Sequence, residues 1–294
     1  MAKTILITGA STGFGRALTE SLAAKGHHVF AGARKPRDID ALKALANVHP
    51  LRLDVNVQSE VDAAAKAVAG AGRGLDGLVN NAGVAILSSI GEALEDDFRY
   101  QMEANVFGVW RVTKAMLPLL IASKGRVVST SSMSGIVSQQ LLGFYCMSKH
   151  SVEAFTDALA GEMKNFGVHV AAVEPGNFAT EVGQTWADRM QARGMSYDGS
   201  PYQKAAEVTA ERLRSKEGKE GPARVVEAME HALLSDVPKS RYLVVSNQRD
   251  ADVALKGHLK KLAQYNQDHP FNYTRDQLIQ MLGEAIDGLS KPSA

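Results

Sequence analysis

The sequence places a tyrosine and a lysine, Tyr145 and Lys149, four positions apart in a stretch with helical character. On a helix this spacing brings both side chains to one face, about one turn apart. A phenol has a pKa of about 10 and is a poor base at neutral pH, but a neighbouring ammonium favours the phenolate and lowers that pKa. The pair is therefore a candidate proton-transfer device at about pH 7, although a surface tyrosine and lysine can share a helix face without any such role.

Two further polar residues could complete such a site. Ser132 lies in a hydroxyl-rich run, 129–134, after a predicted strand, where a hydroxyl is well placed to polarise a carbonyl; the run is also typical of a loop. Asn105 lies within a long apolar helical pattern, and a buried amide is costly unless its hydrogen bonds are satisfied. Asn105 either bonds to its own helix or marks a bent helix that holds a water at the active site.

The residues that would position these groups form short apolar runs that alternate with longer helical patterns. The predicted strands are Thr4–Thr8, His28–Gly32, Val48–Leu53, Leu75–Val79, Gly125–Ser129, Val168–Val173 and Tyr242–Val245. The predicted helices are Phe14–Ala24, Val57–Ala69, Asp96–Ala122, Tyr145–Lys164 and Ala223–Leu234. This alternation predicts an α/β fold, a doubly wound Rossmann-type parallel sheet of about seven strands with helices on both faces. Such a sheet binds ligands at the carboxyl ends of its strands.

The first strand-to-helix turn carries a glycine cluster, Gly9, Gly13 and Gly15, with Ser11 and Phe14 between them. Glycines allow a tight turn and a close approach of backbone to a pyrophosphate, and the following helix N-terminus offers free N–H groups and partial positive charge. The spacing, Gly-x-x-x-Gly-x-Gly, differs from Gly-x-Gly-x-x-Gly, and a tight turn alone also needs glycine. The position directly between a strand and a helix favours a nucleotide site.

The end of the second strand indicates which dinucleotide would bind. Where a fold that selects NAD usually carries an acidic residue for the ribose hydroxyls, this chain has Ala33, followed by Arg34 and Lys35. A guanidinium can grip a 2′-phosphate with two hydrogen bonds, whereas a carboxylate would repel it. The loop therefore favours NADP(H), with NAD(H) as the alternative; a solvated basic turn would have the same sequence character.

The third and fourth strands also end in polar residues. Asp54, followed by Val55, could accept a hydrogen bond from an adenine amino group or cap the next helix. Asn81, Ala82 and Gly83 follow the fourth strand, where they could hold the sheet end together and line the cofactor cleft. On their own these residues would indicate only a turn.

Taken together, these segments resemble the short-chain dehydrogenase/reductase family. The motifs that carry the resemblance are Thr8-Gly-x-x-x-Gly-x-Gly15, Asn80-Asn-Ala-Gly83, Asn105, Ser132, Tyr145-x-x-x-Lys149 and Pro175-Gly176. They stand in the family's order and spacing and cover residues 3–180 by motif. One small departure is Phe14, where the family often has isoleucine.

The resemblance implies a catalytic role for four residues. Tyr145 would be the acid/base that exchanges a proton with the substrate oxygen, and Lys149 would lower its pKa and hold the nicotinamide ribose. Ser132 would hydrogen-bond the substrate oxygen, and Asn105 would support a water chain that carries protons to solvent. The hydride would come from the cofactor, and the protein would orient the reacting atoms.

The resemblance also implies a dinucleotide site that follows the strand ends. The glycine loop would approach the pyrophosphate, Asp54 and Asn81 would lie near the adenosine half, and 175–180 would hold the nicotinamide end. The full predicted cofactor-binding set is Gly9, Ser11, Gly13, Phe14, Gly15, Arg34, Asp54, Val55, Asn81, Ala82, Gly83, Tyr145, Lys149, Pro175, Gly176, Phe178 and Thr180.

The rest of the chain is less informative. Residues 1–250 are expected to form one catalytic domain, with 251–294 as a helical C-terminal extension packed on it. In this family the place of 181–221 carries the substrate lid, and its apolar and aromatic residues would suit a bulky apolar ketone or alcohol; an ordinary helical insertion is an equally good interpretation. Amphipathic helices are expected around 258–262 and 278–282.

Composition limits the class of function. The net charge of +1 gives no reason to expect a nucleic-acid partner, and the absence of a run of about 18 apolar residues predicts no membrane span. The single cysteine, Cys146, excludes an internal disulfide framework and a multi-cysteine metal site, and no metal is expected. No signal peptide is evident, so we expect a cytoplasmic protein. We also expect a homo-oligomer, either a dimer or a tetramer.

These observations favour an NADP-dependent oxidoreductase that interconverts an alcohol and a ketone or aldehyde on a lipophilic small molecule, such as a steroid, a retinoid or a similar carbonyl compound. A 3-ketoacyl-type reductase of the same family is the near alternative. A dinucleotide-binding sensor that has lost catalysis is the alternative from another class, and the intact Ser132, Tyr145 and Lys149 argue against it.

Overall fold

A parallel sheet forms the centre of the computed structural model, which describes residues 1–289, with their side chains except those of 182–184. Its strands are β1 (Thr4–Ile7), β2 (His28–Ala33), β3 (Val48–Arg52), β4 (Gly77–Asn80), β5 (Arg126–Thr130), β6 (His169–Pro175) and β7 (Arg241–Val244). They lie in the order β3-β2-β1-β4-β5-β6-β7, and every neighbouring pair is parallel. The predicted seven-stranded α/β fold is confirmed, and the predicted strand ends lie within two residues of the observed ones.

Helices cover both faces of this sheet because each turns an apolar stripe toward it. The helices within residues 1–289 are α1 (Gly13–Ala24), α2 (Pro36–Lys43), α3 (Gln58–Gly70), α4 (Glu95–Met102), α5 (Gly108–Ser123), α6 (Gly143–Met163), α7 (Val182–Ala192), α8 (Gln203–Arg214), α9 (Ala223–Leu234), α10 (Gln248–Tyr265) and α11 (Arg275–Leu289). Leu18 of α1 and Met229 of α9 are buried on one face. Val61 of α3, Met116 of α5 and Leu159 of α6 are buried on the other. The sheet is therefore doubly wound, as predicted.

The apolar pattern predicted as one helix over 96–122 forms α4, a π-helical turn at Glu103–Phe107 and α5. By length and composition alone, Glu95–Ser123 could cross a membrane, with 33% of its most apolar window buried. That test is weak evidence, because the core helix of a folded domain passes it as well. Here Val112 and Leu120 of α5 are fully buried in the core, which accounts for the apolar composition.

Three helices were not predicted individually. The helix α2 follows β2 within the stretch interpreted as a basic turn, and it begins at a proline, which is favourable at the first helical position. The helices α7 and α8 lie between β6 and β7, in the segment interpreted as a lid or helical insertion. This segment is thus partly helical, as the interpretation as a helical insertion requires, and its role as a lid stays a prediction.

The helices α10 and α11 form the C-terminal extension. Ala254 of α10 is fully buried, and Gly257 lies so close to Val137 that a Cβ on it would stand 2.5 Å from the valine Cγ1. The helix α11, by contrast, contributes no buried residue. The extension therefore packs on the domain through α10, and its predicted last residues, 290–294, lie outside the described residues.

Candidate active site and cofactor cleft

Asn105 lies in the π-helical turn between α4 and α5, and such turns are frequent at functional sites. The residue is 1% exposed. Its Oδ1 accepts from the Val84 N–H at 2.8 Å, and its Nδ2 donates to the Val84 carbonyl at 2.8 Å and to the Ser148 hydroxyl at 2.9 Å. The interpretation in which Asn105 bonds to its own helix is therefore wrong. The helix is distorted, as the other interpretation requires, and the water-holding role stays a prediction.

Gly83 allows the loop after β4 to approach this amide. A Cβ on Gly83 would stand 3.1 Å from Asn105 Oδ1 and 3.8 Å from Lys149 Nζ. The loop is thus fixed against both α6 and the π-helical turn, which brings the predicted catalytic groups next to the end of β4.

Tyr145 and Lys149 lie on one face of α6, as their spacing predicts, and Lys149 Nζ is 5.7 Å from the centre of the Tyr145 ring. The ammonium donates to the Thr130 carbonyl at the end of β5, at 2.7 Å. The Ser132 hydroxyl is a hydrogen-bond partner of the Tyr145 phenol and accepts from the Ser134 N–H at 3.1 Å. Tyr145 and Ser132, which are predicted to act on the substrate oxygen, and Lys149, which is predicted to assist Tyr145, are therefore grouped at the carboxyl ends of the strands.

Burial dominates the titration of the phenol and the ammonium. It raises the pKa of Tyr145 to about 12, an effect that the hydrogen bond with Ser132 opposes and the nearby Cys146 thiol increases. Burial also lowers the pKa of Lys149 to about 8. Desolvation of the phenol is the largest effect on this pKa, and the Lys149 ammonium is directed to the Thr130 carbonyl. The role of Lys149 in lowering the pKa of Tyr145 stays a prediction.

The glycine loop between β1 and α1 forms a cradle, and at two of its positions, Gly9 and Gly15, only glycine fits. Gly9 has φ = +64°, and a Cβ on it would stand 2.8 Å from the Cα of Ala82. A Cβ on Gly15 would stand 2.3 Å from the Gly9 carbonyl oxygen and 2.4 Å from Asn81 Nδ2. Because α1 begins at Gly13, the free N–H groups of its first turn lie beside this cradle. A cradle without side chains next to a helix N-terminus fits a pyrophosphate.

Asn81 and Thr8 hold the glycine loop in place. The Asn81 Nδ2 donates to the carbonyls of Thr8 and Gly9, both at 3.1 Å. In return, Thr8 Oγ1 accepts from the N–H groups of Asn81 and Ala82, both at 3.0 Å. Thr8 was missing from the predicted site, although it opens the motif that contains the glycines. The predicted contact of Asn81 with the adenosine half stays a prediction.

The segment after β6 contacts the glycine loop. The Phe178 ring lies edge-on to the Phe14 ring, with the ring centres 6.1 Å apart. The Cβ of Thr180 would lie 3.9 Å from a Cβ built on Gly13. Ser11 is half-buried in the same loop. The residues predicted to hold the pyrophosphate and those predicted to hold the nicotinamide end are therefore neighbours in space.

Pro175 and Gly176 join this segment to Ser132, the predicted catalytic serine. The Ser132 hydroxyl donates to the Pro175 carbonyl at 3.4 Å, and the Gly176 N–H donates to the Val244 carbonyl of β7 at 2.8 Å. The segment thus continues from the glycine cradle to the hydroxyl that faces Tyr145. Its residues fit a dinucleotide whose reactive end lies beside the phenol.

At the end of β2, groups from two other elements hold the Arg34 guanidinium. Its Nη1 donates to the Tyr100 hydroxyl at 3.4 Å and lies 3.8 Å from Asp54 Oδ2. The Arg34 side chain is 51% exposed, so donors remain open to a ligand. Tyr100 was absent from the predicted site, since no pattern in the sequence connects α4 with β2.

Asp54 does not cap α3, so that interpretation is wrong. The residue before α3 is Val57, and no side chain caps the helix there. The Asp54 Oδ1 instead accepts from the Asn56 N–H at 3.0 Å, and its contact with adenine stays a prediction. Val55 is buried against α5, where a Cβ on Gly108 would stand 2.6 Å from its Cγ2.

Cys146 lies next to Tyr145 in the sequence and is 1% exposed. Burial raises the pKa of its thiol, which disfavours the reactive thiolate. Within residues 1–289, no group of three or more His, Cys, Asp or Glu side chains is placed to hold a metal ion.

The family model of the short chain dehydrogenases matches residues 3–191, a range that includes every motif residue from the glycine loop to Thr180. The chain belongs to the short-chain dehydrogenase family. It is an oxidoreductase that acts on CH–OH groups with a nicotinamide dinucleotide. The predicted family and class of enzyme are confirmed.

Individual relatives of this dehydrogenase span most of its length. D-beta-hydroxybutyrate dehydrogenase, mitochondrial, from Bos taurus is 36% identical over 262 residues, which cover 82% of this chain and 76% of that protein. Retinol dehydrogenase 16 from Homo sapiens is 36% identical over 255 residues, which cover 82% of this chain and 80% of that protein. The crystal structure of a short chain dehydrogenase/reductase from Burkholderia phymatum in complex with NAD is 26% identical with a TM-score of 0.75, covering 93% of this chain and 98% of that one.

Proposed function

We propose that this dehydrogenase uses NADP(H) to interconvert an alcohol and a ketone or aldehyde on a lipophilic small molecule. The observation that carries the proposal is the grouping of Ser132, Tyr145 and Lys149 beside the glycine cradle. A bound nicotinamide dinucleotide supplies or accepts the hydride. The residues of the chain supply the proton and orient the reacting atoms.

Tyr145 is the proton donor for reduction. Because burial raises its pKa to about 12, its phenol is protonated at neutral pH and can give its proton to a carbonyl oxygen. The Ser132 hydroxyl, already a partner of that phenol, is placed to donate a hydrogen bond to the same oxygen. The Lys149 ammonium, on the same helix face, stabilises the negative charge that remains on the phenol after proton transfer. In alcohol oxidation the same groups act in reverse.

An apolar cluster adjoins the phenol and supports a lipophilic substrate. Its buried members are Ile86, Leu87, Leu141, Leu142, Cys146, Trp186, Ala206 and Ala210, and Tyr145 packs against them. Trp186 belongs to α7, and Ala206 and Ala210 belong to α8, so the predicted lid contributes to this cluster. A site bounded by apolar side chains favours a bulky apolar carbonyl compound over a small charged one. The human relative named for retinol agrees with this class, whereas the bovine relative is named for a hydroxy acid.

Arg34 supports NADP(H) over NAD(H). The position before it holds Ala33, so no carboxylate there repels a 2′-phosphate, and the half-exposed guanidinium has free donors for one. The Burkholderia phymatum relative was solved with NAD, which makes NAD(H) the alternative that a direct comparison must test.

Steady-state kinetics with the purified protein test both parts of the proposal. We expect kcat/KM with NADPH to exceed that with NADH by about ten- to a hundred-fold, the effect of a charge-assisted phosphate contact. We expect kcat/KM for retinal or a steroid ketone to exceed that for acetoacetate by at least about ten-fold. A preference for 3-oxoacyl thioesters would favour the ketoacyl-reductase alternative. Tight NADPH binding without turnover of any carbonyl compound would favour the sensor alternative.

We also propose that the enzyme is a cytoplasmic homo-oligomer. The support for an oligomer is the pair Phe107, at the end of the π-helical turn, and Trp110 of α5. These aromatic side chains are 51% and 46% exposed and offer apolar surface to a second copy. Light scattering of the purified protein should give the mass of a dimer or tetramer, and a monomer would contradict the proposal. Cell fractionation should recover the protein with the cytoplasm; recovery with mitochondria, the compartment in the bovine relative's name, would contradict that part.

A further inference from the structure

Tyr100 of α4 lies between two arginines that come from different parts of the chain. Its hydroxyl accepts from Arg34 Nη1 at 3.4 Å, at the predicted phosphate site. Its ring carries the guanidinium of Arg189, whose central carbon is 4.3 Å from the ring centre. Arg189 belongs to α7, in the predicted substrate lid. One side chain therefore contacts both the adenosine end of the cofactor cleft and the lid.

Asp97, on the same helix, fixes Arg189 in this position. Its carboxylate is 2% exposed, and Oδ1 accepts from Arg189 Nε at 3.1 Å and from Arg189 Nη2 at 2.7 Å. The same oxygen accepts from Nη1 of Arg193, the residue that follows α7, at 3.1 Å. A buried carboxylate that loses its cations is strongly destabilised, so the lid arginines are held where Asp97 places them.

The two cations on Tyr100 make the phosphate site and the lid depend on each other. Arg34 and Arg189 carry the same charge, so each weakens the binding of the other to the tyrosine. A phosphate dianion at Arg34 offsets this repulsion and strengthens the stacking of Arg189 on the ring. Because coupling between two binding events is reciprocal, docking of α7 on Tyr100 also favours phosphate at Arg34.

The Tyr100 hydroxyl has a second, direct effect. By accepting from Nη1, it restricts the Arg34 guanidinium to one orientation before a ligand arrives. A group that is held in its binding orientation loses less conformational freedom when the ligand binds. The hydroxyl and the ring of Tyr100 therefore have separable roles, the first toward Arg34 and the second toward Arg189.

We propose that Tyr100 is a positioning residue that holds Arg34 for the 2′-phosphate of the cofactor and transmits phosphate binding to the lid helix α7. The inference rests on the proposed use of NADP(H) and deepens it, because it makes phosphate preference and lid position depend on one side chain. It concerns residues of this chain alone and can be tested without turnover.

Two cofactor fragments isolate the phosphate contact. 2′,5′-ADP carries the 2′-phosphate and 5′-AMP lacks it, and both lack the nicotinamide, so calorimetric Kd values report binding only. We expect the unmodified chain to bind 2′,5′-ADP about ten- to a hundred-fold more tightly, and Arg34→Ala to abolish this ratio. Tyr100→Phe should reduce the ratio about three- to ten-fold, because the guanidinium loses one long hydrogen bond at 3.4 Å but keeps its charge, with 5′-AMP binding unchanged.

A matched control removes a different tyrosine hydroxyl from the same region. The Tyr197 hydroxyl donates to the Leu87 carbonyl at 3.3 Å and accepts from the Ser89 N–H at 3.2 Å, and neither bond involves an arginine. Tyr197→Phe should therefore leave the ratio of the two Kd values unchanged.

Amide hydrogen exchange over 185–192 reports the lid helix itself. We expect 2′,5′-ADP to slow exchange there, and 5′-AMP to slow it less. Tyr100→Phe keeps the ring under Arg189, so exchange of the ligand-free variant should match the unmodified chain, while the extra slowing by 2′,5′-ADP should shrink. Tyr100→Leu removes the ring, so exchange should be faster even without ligand.

The outcomes separate this inference from the proposed function. If Arg34→Ala loses the ratio but Tyr100→Phe keeps it, the NADP proposal stands and the role of Tyr100 is overturned. If the unmodified chain binds both fragments equally, the phosphate contact is absent and both proposals are overturned. If Tyr100→Phe weakens both fragments equally, its role is not specific to the phosphate, and the inference is overturned as well.

Discussion

Two regions adjoin Tyr145 and are held in place by different kinds of contact. One is the group of residues at the carboxyl ends of the strands, and the other is the predicted lid. At the strand ends, Lys149 and Asn105 are fixed by hydrogen bonds to main-chain groups of neighbouring loops and strands. The lid instead meets the domain through side chains, with Arg189 on a buried carboxylate and Trp186 in an apolar cluster. The geometry of the proposed proton-transfer group therefore depends on backbone positions, whereas the contacts of the predicted lid depend on side chains that can change without refolding the sheet.

The largest expected effect is the loss of the phenol at the strand ends. Tyr145→Phe keeps the ring and removes the acid/base, so kcat should fall about 10²- to 10⁴-fold while the Kd for NADPH changes less than about three-fold. Steady-state kinetics and a fluorescence titration measure the two quantities. The lid variant Tyr202→Phe is the control and should keep kcat within about three-fold. A Tyr145→Phe enzyme with nearly unchanged kcat would show that the proton comes from another group.

A single methyl group in the glycine cradle should be the next most damaging change. The Cβ of Gly15→Ala would stand 2.3 Å from the carbonyl oxygen of Gly9, and a backbone atom cannot move aside cheaply. We expect NADPH to bind at least about ten-fold more weakly, as measured by calorimetry. Gly161→Ala is the matched control, because it lies on α6 with nothing within 4 Å of its Cβ position. The control should keep cofactor affinity and gain about 0.5–1 kcal/mol in free energy of unfolding. If both variants bind NADPH equally well, the glycine loop does not hold the cofactor as proposed.

Glu174 gives the strand-end region a stability that depends on pH. The residue is 3% exposed, and burial raises the pKa of its carboxyl from 4.5 to about 7, with a further rise from Asp157. Arg241 pairs with Glu174 at 3.0 Å, but it also pairs with Glu153 and Asp157, so one cation serves three carboxylates.

The sign of this dependence follows from the raised pKa. A carboxyl that holds its proton more tightly in the folded state contributes stability that is complete below pH 4.5 and is lost as the pH rises through about 7. Urea unfolding from about pH 5 to about pH 8 should show this loss in the unmodified chain, and Glu174→Gln should reduce it. If Glu174→Gln shows the same slope of unfolding free energy against pH as the unmodified chain, another group causes the pH dependence.

The smallest expected effect lies at the end of the chain, where α11 has no buried residue. Leu282 is 47% exposed, so Leu282→Ser should change the free energy of unfolding by less than about 0.5 kcal/mol. Leu120→Ala, at a fully buried position of α5, should cost about 2–5 kcal/mol. Denaturant titrations compare the two variants directly. A large cost at Leu282 would mean that α11 is covered by another surface.

The fold and the catalytic group could be predicted because their signals are local. Both faces of β1 are covered, so Ile5, Leu6 and Ile7 form an uninterrupted apolar run that indicates a buried parallel strand. Tyr145 and Lys149 are one helical turn apart, so their spacing in the sequence gives their spacing in space. For these residues, the neighbouring sequence is sufficient to predict the local structure.

The features that could not be predicted depend on residues far apart in the sequence. The bond between Arg34 and Tyr100 joins positions 66 residues apart, and the bond between Asp97 and Arg189 joins positions 92 apart. The raised pKa of Tyr145 has the same origin, since its burial comes from elements that its own helix does not specify. The sign of that pKa shift therefore required the packed structure.

The π-helical turn at Glu103–Phe107 makes the length of its helix as important as its side chains. A π turn holds one more residue than the corresponding α-helical turn, so deletion of a residue there would let 95–123 continue as a regular α-helix. Each residue rotates a helix by about 100°, so such a deletion would turn either Asn105 away from Val84 or Met116 out of the core. Changes in chain length along this helix should therefore inactivate the enzyme even where every individual side chain can be replaced.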